Sequence, residues 1–190
     1  MTKDWPEFLT GLGYVVLSFD SYAARGYSSC TEFSTWRYEQ AADAYAALDY
    51  LQTLPFVDGK RVAVFGFSAG GFAINDSIVA GNFGANEKHQ FTAAVSFYAG
   101  CARLDRYSER DLPLMQIAAE LDRHLVGACQ VWGRKTPMEV HVLKGAYHAF
   151  DQPQIETFKY DAAGNPMQYS WVATLRAREL AKEFLARHLR

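Results

Sequence analysis

Short apolar runs of strand length alternate with helical patterns along almost the whole chain. The runs are rich in β-branched and aromatic residues, which favours buried strands. Strands are predicted over residues 14–19, 61–65, 92–98, 112–118 and 138–143. Because strands that alternate with helices form right-handed βαβ units, the sequence predicts an α/β fold with a mainly parallel sheet flanked by helices. A functional site is then expected at the carboxyl ends of the strands.

The helical segments fit one domain, which we expect to cover residues 1–190. Helices are predicted over residues 36–54, 69–80, 125–133 and 169–189, after an earlier helix around Trp5, Phe8 and Leu9. With 190 residues, 49% of them apolar, the chain is long enough to bury a core of its own.

Charge and hydropathy narrow the classes of partner. The formal net charge is -2 and the 19 basic residues are scattered, which argues against nucleic acid as the main partner. No apolar run reaches the roughly 18 residues that a membrane-spanning helix needs. The first residues contain no apolar signal-peptide core. We therefore expect a cytoplasmic protein as written, and a secreted or periplasmic one if the true N-terminus lies upstream.

The three cysteines, Cys30, Cys101 and Cys129, fit no zinc-binding pattern. The favoured interpretation is three buried or half-buried thiols. The alternative is a disulfide between Cys101 and Cys129, because each follows a predicted strand at the same edge of the sheet.

Residues 66–70 form a G-x-S-x-G motif centred on Ser68. The motif directly follows a predicted strand and directly precedes a predicted helix, which is the setting of a nucleophile elbow. We expect Gly66 and Gly70 to be needed because side chains there would collide with the neighbouring strand and helix, and Gly71 to extend that clearance. The backbone N–H of Ala69 would point at an oxyanion from the first helical turn. The alternative is a glycine-rich helix start that Ser68 merely caps.

His148 is the predicted base that activates Ser68, because it lies in a loop between the last predicted strand and the last helix. His141 lies inside a predicted strand, His188 ends the last helix and His89 lies in a polar connection. We expect these three to be structural or solvated.

Asp122 is the predicted acid that orients His148, because it follows the strand over residues 112–118. Glu120 is the alternative acid, and His124 is the rival base. The chain order Ser68, Asp122, His148 is that of serine hydrolases with a nucleophile elbow and differs from the order in other serine-hydrolase folds.

Four segments of the chain resemble the dienelactone hydrolase family of α/β-hydrolases. They are residues 17–22 with Arg25-Gly26, residues 62–71, Glu120-Leu121-Asp122, and residues 145–150, Gly-Ala-Tyr-His-Ala-Phe, of which the last is the most specific. The resemblance spans nearly the whole chain. It implies hydrolysis of small carboxylic esters or lactones, without a metal or an organic cofactor.

Three further residues are candidates for contact with the substrate. Tyr22 and Arg25 follow the first predicted strand, and the alternative is that both are solvated loop residues. Tyr147, in the histidine loop, is the third candidate.

Two features depart from the family's pattern. Dienelactone hydrolases proper use a cysteine nucleophile, whereas this chain has Ser68, so dienelactone itself is not the expected substrate. Family members also begin with further strands, and a loop from these supplies the second oxyanion donor. Loss of one such donor typically lowers the rate by roughly 10²–10³, so we expect this chain to be weakly active or inactive.

A strand is expected to be missing between the predicted strands over residues 14–19 and 61–65. Its absence would leave these two strands either separated or paired directly. The favoured explanation is a fragment of a longer chain. The alternatives are a strand supplied by another chain and a sheet closed without it.

The leading function is therefore an esterase or lactonase. A peptidase or acyltransferase that uses the same three residues is a second enzyme hypothesis. A non-catalytic remnant of the fold, which binds a ligand or a partner, is a hypothesis of another class. The expected partner is a small-molecule ester or lactone, and self-association into a homo-oligomer is left open.

Overall fold

A parallel sheet with helices on both faces forms the centre of the computed structural model, which describes residues 4–28, 36–81, 83–108 and 111–189. Its strands are β1 (Ala63–Phe67), β2 (Ala93–Phe97), β3 (Leu114–Ala119) and β4 (Glu139–Leu143). They lie side by side in chain order, and each neighbouring pair is parallel. All four carboxyl ends therefore meet at one edge of the sheet.

Helices connect and cover these strands. They are α1 (Asp4–Gly11), α2 (Trp36–Gln52), α3 (Ala69–Phe72), α4 (Arg123–Trp132) and α5 (Trp171–His188). The predicted helix over residues 69–80 is α-helical only in its first turn, since α3 continues as a π-helix over Ala73–Val79. Within the described ranges, no helix is both long and apolar enough to cross a membrane.

The sheet separates two apolar cores, because successive strand residues point to opposite faces. On one face, Val95 and Ile117 pack with α1 and α5. On the other, Ala94 and Leu114 pack with α2, α4 and the π-helix. Every residue of β2 and β3 is buried, which explains why these strands read as nearly continuous apolar runs.

Residues 14–19, predicted to be a strand, are extended but pair with no strand in the described part of the chain. Val15, Leu17 and Phe19 are exposed. The prediction is wrong because no neighbouring strand supplies the hydrogen bonds that would complete a ladder here, whatever the β propensity of the side chains.

β1 is consequently an edge strand. The backbone N–H of Thr92 donates to the carbonyl of Val62, and that of Ser68 donates to the carbonyl of Phe97. Even-numbered residues of this segment therefore turn their backbone groups toward β2. The N–H and C=O groups of Ala63, Phe65 and Phe67 point the opposite way and have no partner among the described residues.

A short hairpin that the sequence analysis missed lies between the last sheet strand and α5. Its strands are β5 (Lys159–Tyr160) and β6 (Pro166–Met167), which pair antiparallel. The Asp161 side chain accepts hydrogen bonds from the backbone N–H groups of Ala163 and Asn165, and Gly164 has a φ of 82°. Strands of two residues are too short to show the alternation of apolar and polar residues that marks a strand. The Asp and Gly of the turn are therefore the only sequence features that indicate a hairpin here.

Cys101, which follows β2, and Cys129 in α4 form a disulfide, with their Cα atoms 4.9 Å apart. Both residues are fully buried. The favoured interpretation of reduced thiols is therefore wrong for this pair, because the loop after β2 and the helix after β3 meet at the carboxyl edge of the sheet. Cys30 lies outside the described residues.

Candidate active site

Ser68 occupies the sharp turn between β1 and α3. Its φ is 51° and its ψ is −111°, a conformation that residues other than glycine rarely adopt. Its backbone N–H donates to the Phe97 carbonyl at 3.1 Å, and its own carbonyl accepts from the Phe72 N–H at 3.0 Å. The neighbouring strand and the following helix thus hold the strained residue in place.

The glycines of the elbow differ in the room around them. A Cβ atom at Gly66 would lie 2.3 Å from the Gly70 carbonyl oxygen, and one at Gly71 would lie 2.8 Å from the Ala99 Cβ. A Cβ atom at Gly70 would meet nothing within 4 Å. The collision expected at Gly66 is confirmed. The collision expected at Gly70 is wrong, because Gly71 and not Gly70 packs against the neighbouring strand.

Ser68, His148 and Asp122 form one continuous chain of hydrogen bonds. The Ser68 Oγ lies 2.8 Å from His148 Nε2, and His148 Nδ1 lies 2.6 Å from Asp122 Oδ2. The side chains of His148 and Asp122 are only 3% and 1% exposed. A carboxylate can only accept, so Nδ1 carries the hydrogen, and Nε2 is left to accept the proton of the serine hydroxyl.

The loop that carries Asp122 and the loop that carries His148 are joined by hydrogen bonds. The Leu121 N–H donates to the Ala146 carbonyl at 2.9 Å. Glu120, the alternative acid, is exposed, and its Oε2 accepts from the Gly145 N–H at 2.8 Å. Glu120 thus contacts the backbone of the histidine loop, while Asp122 contacts the imidazole itself.

The histidine loop is held from both ends. The His148 N–H donates to the Pro166 carbonyl of the hairpin at 2.9 Å. The Phe150 carbonyl accepts from the Ser170 N–H and from the Thr174 hydroxyl at the start of α5. Ala149, between them, has a φ of 56°. The hairpin therefore fixes the histidine backbone, which gives this short element a role in the site.

A buried polar cluster next to His148 was missed by the sequence analysis. It consists of Trp5, Tyr98 and Asp151, whose side chains are hydrogen-bonded to one another. Burial raises the pKa of Asp151 and raises that of Tyr98 well above its usual value. No pattern along the sequence could reveal this cluster, because its members come from α1, the end of β2 and the histidine loop.

Ala69, the predicted oxyanion donor, is the first residue of α3. Its backbone N–H donates no hydrogen bond to any described residue. The first N–H groups of a helix lack intrahelical acceptors, which explains this unused donor beside Ser68, and its role as an oxyanion donor stays a prediction.

Tyr22 and Arg25, two of the candidate substrate contacts, face α2. The Tyr22 hydroxyl accepts a hydrogen bond from the Gln40 Nε2. The Arg25 guanidinium pairs with Asp43 through two hydrogen bonds of 2.7 and 2.8 Å and with Glu39 at 2.7 Å. Hydrogen bonding by Arg25 lowers the pKa of Asp43, and hydrogen bonding to Asp43 raises that of Arg25. Substrate contact by Tyr22 and Arg25 stays a prediction.

Tyr147, the third candidate, packs edge-to-face against Phe158 with ring centroids 5.2 Å apart. Phe158 packs in turn against Tyr160 of the hairpin. An aromatic row thus continues from the residue that precedes His148, and its contact with substrate also stays a prediction.

The other histidines have partners of their own. His89 lies 2.6 Å from Asp49, His141 lies 3.6 Å from Glu139, and the His188 ring packs on Phe184. The side chain of His124, the rival base, lies outside the described part of the structure. Among the described residues, no group of three or more His, Cys, Asp or Glu side chains is arranged to hold a metal ion.

Two solved structures share this architecture. One is a dienelactone hydrolase from Anabaena variabilis ATCC 29413, 19% identical, with a TM-score of 0.56 over 85% of this chain and 65% of that one. The other is MGS-M1, an α/β hydrolase enzyme from a Medee basin deep-sea metagenome library, 18% identical, with a TM-score of 0.50 over 78% of this chain and 64% of that one. At these identities the likeness establishes the α/β-hydrolase fold.

The present chain covers slightly less than two thirds of the length of each of these proteins. Among curated proteins, none is significantly similar to it in sequence. The model of the dienelactone hydrolase family matches residues 3–189, nearly the whole chain. The chain belongs to the dienelactone hydrolase family.

Proposed function

We propose that the protein is a serine hydrolase that acts on small carboxylic esters or lactones. Ser68 is the nucleophile, His148 the general base and Asp122 the acid that orients the imidazole. The observation that carries this proposal is the continuous hydrogen-bond chain from the Ser68 Oγ through the imidazole to the Asp122 carboxylate. Membership of the dienelactone hydrolase family supports hydrolytic chemistry.

The reaction follows from these positions. The Ser68 oxygen attacks the carbonyl carbon while its proton passes to His148 Nε2, and Asp122 stabilises the imidazolium that forms. The carbonyl oxygen becomes an oxyanion opposite the Ala69 N–H. When the tetrahedral intermediate collapses, the alcohol leaves with the proton from His148. Water, deprotonated by His148, then attacks the acyl-serine. The bond between the acyl carbon and the Ser68 oxygen breaks, His148 returns the proton to that oxygen, and the carboxylic acid is released.

Labelling with a fluorophosphonate probe tests the nucleophile. We expect the full chain to be labelled and Ser68→Ala to be unlabelled, because the probe reacts only with an activated serine. A folded full chain that takes up no probe would contradict the proposal.

A pair of carboxylate variants tests the acid. Asp122→Asn should lower kcat/KM for p-nitrophenyl acetate by about 10³–10⁴, because an asparagine does not hold the required imidazole tautomer. Glu120→Gln is the matched control, since a glutamine oxygen can still accept from the Gly145 N–H, and it should retain activity within about tenfold. Equal losses in the two variants would remove Asp122 from the assignment.

The second candidate function is non-catalytic binding, and the unpaired outer edge of β1 favours it. Free N–H and C=O groups on an edge strand can pair with an added strand. In that case Ser68 would take up no probe, while the chain would still fold.

A further inference from the structure

A second buried carboxylate lies three residues after the histidine of the proposed triad. Asp151 Oδ2 accepts a hydrogen bond of 2.6 Å from the Trp5 indole N–H, and Asp151 Oδ1 accepts one of 2.8 Å from the Tyr98 hydroxyl. Trp5, Tyr98 and Asp151 are 3%, 1% and 1% exposed. Buried carboxylates are normally paired with a cation, and none of the ion pairs among the described residues involves Asp151.

The hydrogen bonds of Asp151 fit its ionised form. The Trp5 indole N–H and the Tyr98 hydroxyl each donate to a different oxygen of Asp151, and an ionised carboxylate, which can only accept, satisfies both donors. Burial is the largest influence on the pKa of Asp151 and raises it, while the hydrogen bonds from Tyr98 and Trp5 and the positive charge of protonated His148 oppose this rise. A carboxylate at this place is therefore stabilised whenever the imidazole is protonated.

Tyr98 connects the carboxylate to the imidazole. Its ring packs edge-to-face against the His148 ring, with centroids 4.7 Å apart, while its hydroxyl is anchored on Asp151. Among the described residues, the non-glycine residues with positive φ are Ser68, Tyr98 and Ala149. Ser68 belongs to the proposed triad, Ala149 follows His148 directly, and Tyr98 packs on the imidazole. Strained backbone persists only where the surroundings fix it, so the placement of Tyr98 is part of how the site is built.

We propose that Trp5, Tyr98 and Asp151 form a positioning cluster for His148. Asp151 anchors the Tyr98 ring against the imidazole and supplies a second negative charge, after that of Asp122, which stabilises the imidazolium. This inference rests on the proposed function. Asp151 is a positioning residue, since it acts on the reaction through Tyr98 and the local electric field.

Few other titratable groups face the histidine. Asp122 approaches it from the start of α4, Tyr98 from the end of β2, and Asp151 from its own loop. The hairpin beside its backbone carries Lys159 and Tyr160, which are both exposed, and Asp161, which is half-buried and hydrogen-bonded within the turn. Apart from Asp122, Asp151 is thus the buried charged group near His148. Removing the charge of Asp151 should therefore change the pH dependence of the imidazole.

Asp151→Asn in the full chain tests the charge. The asparagine oxygen can accept from Trp5 while its amide donates to the Tyr98 hydroxyl oxygen, so both hydrogen bonds survive and only the charge is lost. We expect kcat/KM for p-nitrophenyl acetate to fall about tenfold. The acid limb of its pH profile should move down by about 0.5 to 1 pH unit, because the protonated imidazole loses a stabilising charge.

Tyr98→Phe tests the positioning. It keeps the ring and the carboxylate but removes the anchor, so kcat/KM should fall several-fold, while the acid limb should move less than in Asp151→Asn, because the carboxyl group is still present. Glu156→Gln, which removes an exposed carboxylate, is the matched control and should change neither quantity. If Asp151→Asn does not fold, Tyr98→Phe decides: wild-type kcat/KM in that variant would overturn the positioning cluster.

A measurement that does not need turnover separates this inference from the proposed function. The His148 imidazole can be titrated by NMR in Ser68→Ala with and without Asp151→Asn, and the midpoint should be lower in the double variant. An unchanged midpoint, or a wild-type pH profile in Asp151→Asn, would overturn the inference even if Ser68 labelling succeeds. Failure of Ser68 labelling would instead refute the proposed function and leave the NMR titration to decide the role of Asp151.

Discussion

The glycines that surround Ser68 show how closely backbone segments approach one another at the elbow. At Gly66 the atoms that a Cβ would meet belong to the backbone of the following helix. Backbone cannot swing aside as a flexible side chain can, so a methyl group there would have to displace the turn itself. Gly70, in contrast, faces open space and needs to be glycine for neither packing nor conformation.

Gly66→Ala and Gly70→Ala should therefore behave differently. We expect Gly66→Ala to lower the free energy of unfolding by about 2 kcal/mol or more, since overpacking a tight site costs roughly this amount. Gly70→Ala should be neutral or stabilise the protein by up to about 1 kcal/mol, because alanine is the better helix former. Urea denaturation of both variants measures the difference, and equal costs would contradict the contact geometry.

Single residues could be predicted from the sequence where the chemistry is tied to strand ends. Ser68, Asp122 and His148 each follow a strand, and the structure brings the three side chains within hydrogen-bond distance. Asp151 could not be predicted in this way, because its partners Trp5 and Tyr98 are 146 and 53 residues away. Contacts between such distant residues can be identified only once the fold is known.

Among the elements, β1 is one of the two edge strands of the four-stranded sheet and pairs only with β2. Its outward N–H groups, at Ala63, Phe65 and Phe67, lack acceptors among the described residues, while those of Val64 and Gly66 face β2. An edge of this kind is open to water or to another strand.

Native-state hydrogen exchange should reveal this edge as an alternation along β1. We expect the amides of Ala63, Phe65 and Phe67 to exchange at least about tenfold faster than those of Val64 and Gly66, because only the latter are hydrogen-bonded. β2, which has strands on both sides, is the internal control and should show no alternation. Uniform protection along β1 would contradict a free edge and indicate that something covers it in solution.

Sequence patterns alone predict some of the strands correctly and fail for others. The strands over residues 92–98, 112–118 and 138–143 were predicted within about two residues of β2, β3 and β4. An apolar run rich in β-branched residues favours an extended backbone. It becomes a strand only where a neighbouring strand pairs with it through backbone hydrogen bonds. For that reason the run over residues 14–19 looked like the others and yet pairs with none.

For the whole molecule, the Cys101–Cys129 disulfide ties the region after β2 to α4, the helix that begins next to Asp122. It closes a sequence separation of 28 residues. Closing a loop of this length restricts the unfolded chain and is expected to stabilise the fold by about 3 to 4 kcal/mol. The structure thus gives these cysteines a role in stability that their spacing in the sequence left undecided.

Cysteine variants test that role. Cys101→Ala, Cys129→Ala and the double variant should each lower the free energy of unfolding by about 3 kcal/mol, because any one substitution already opens the loop. Urea denaturation without reductant measures the effect, and added reductant should abolish most of the difference from wild type. Fully additive losses in the double variant would show that the two sulfurs contribute separately.

The hydrogen bond from Trp5 to Asp151 also bears on how the molecule assembles. During synthesis the indole emerges 146 residues before its acceptor, and bringing together such distant groups is slow compared with local helix formation. The first helix must therefore wait for the histidine loop before it can dock fully. In a variant whose other tryptophans, Trp36, Trp132 and Trp171, are replaced by phenylalanine, the fluorescence of Trp5 depends on how far water reaches its indole. That signal would then report the last stage of maturation of the site and not the initial collapse of the chain.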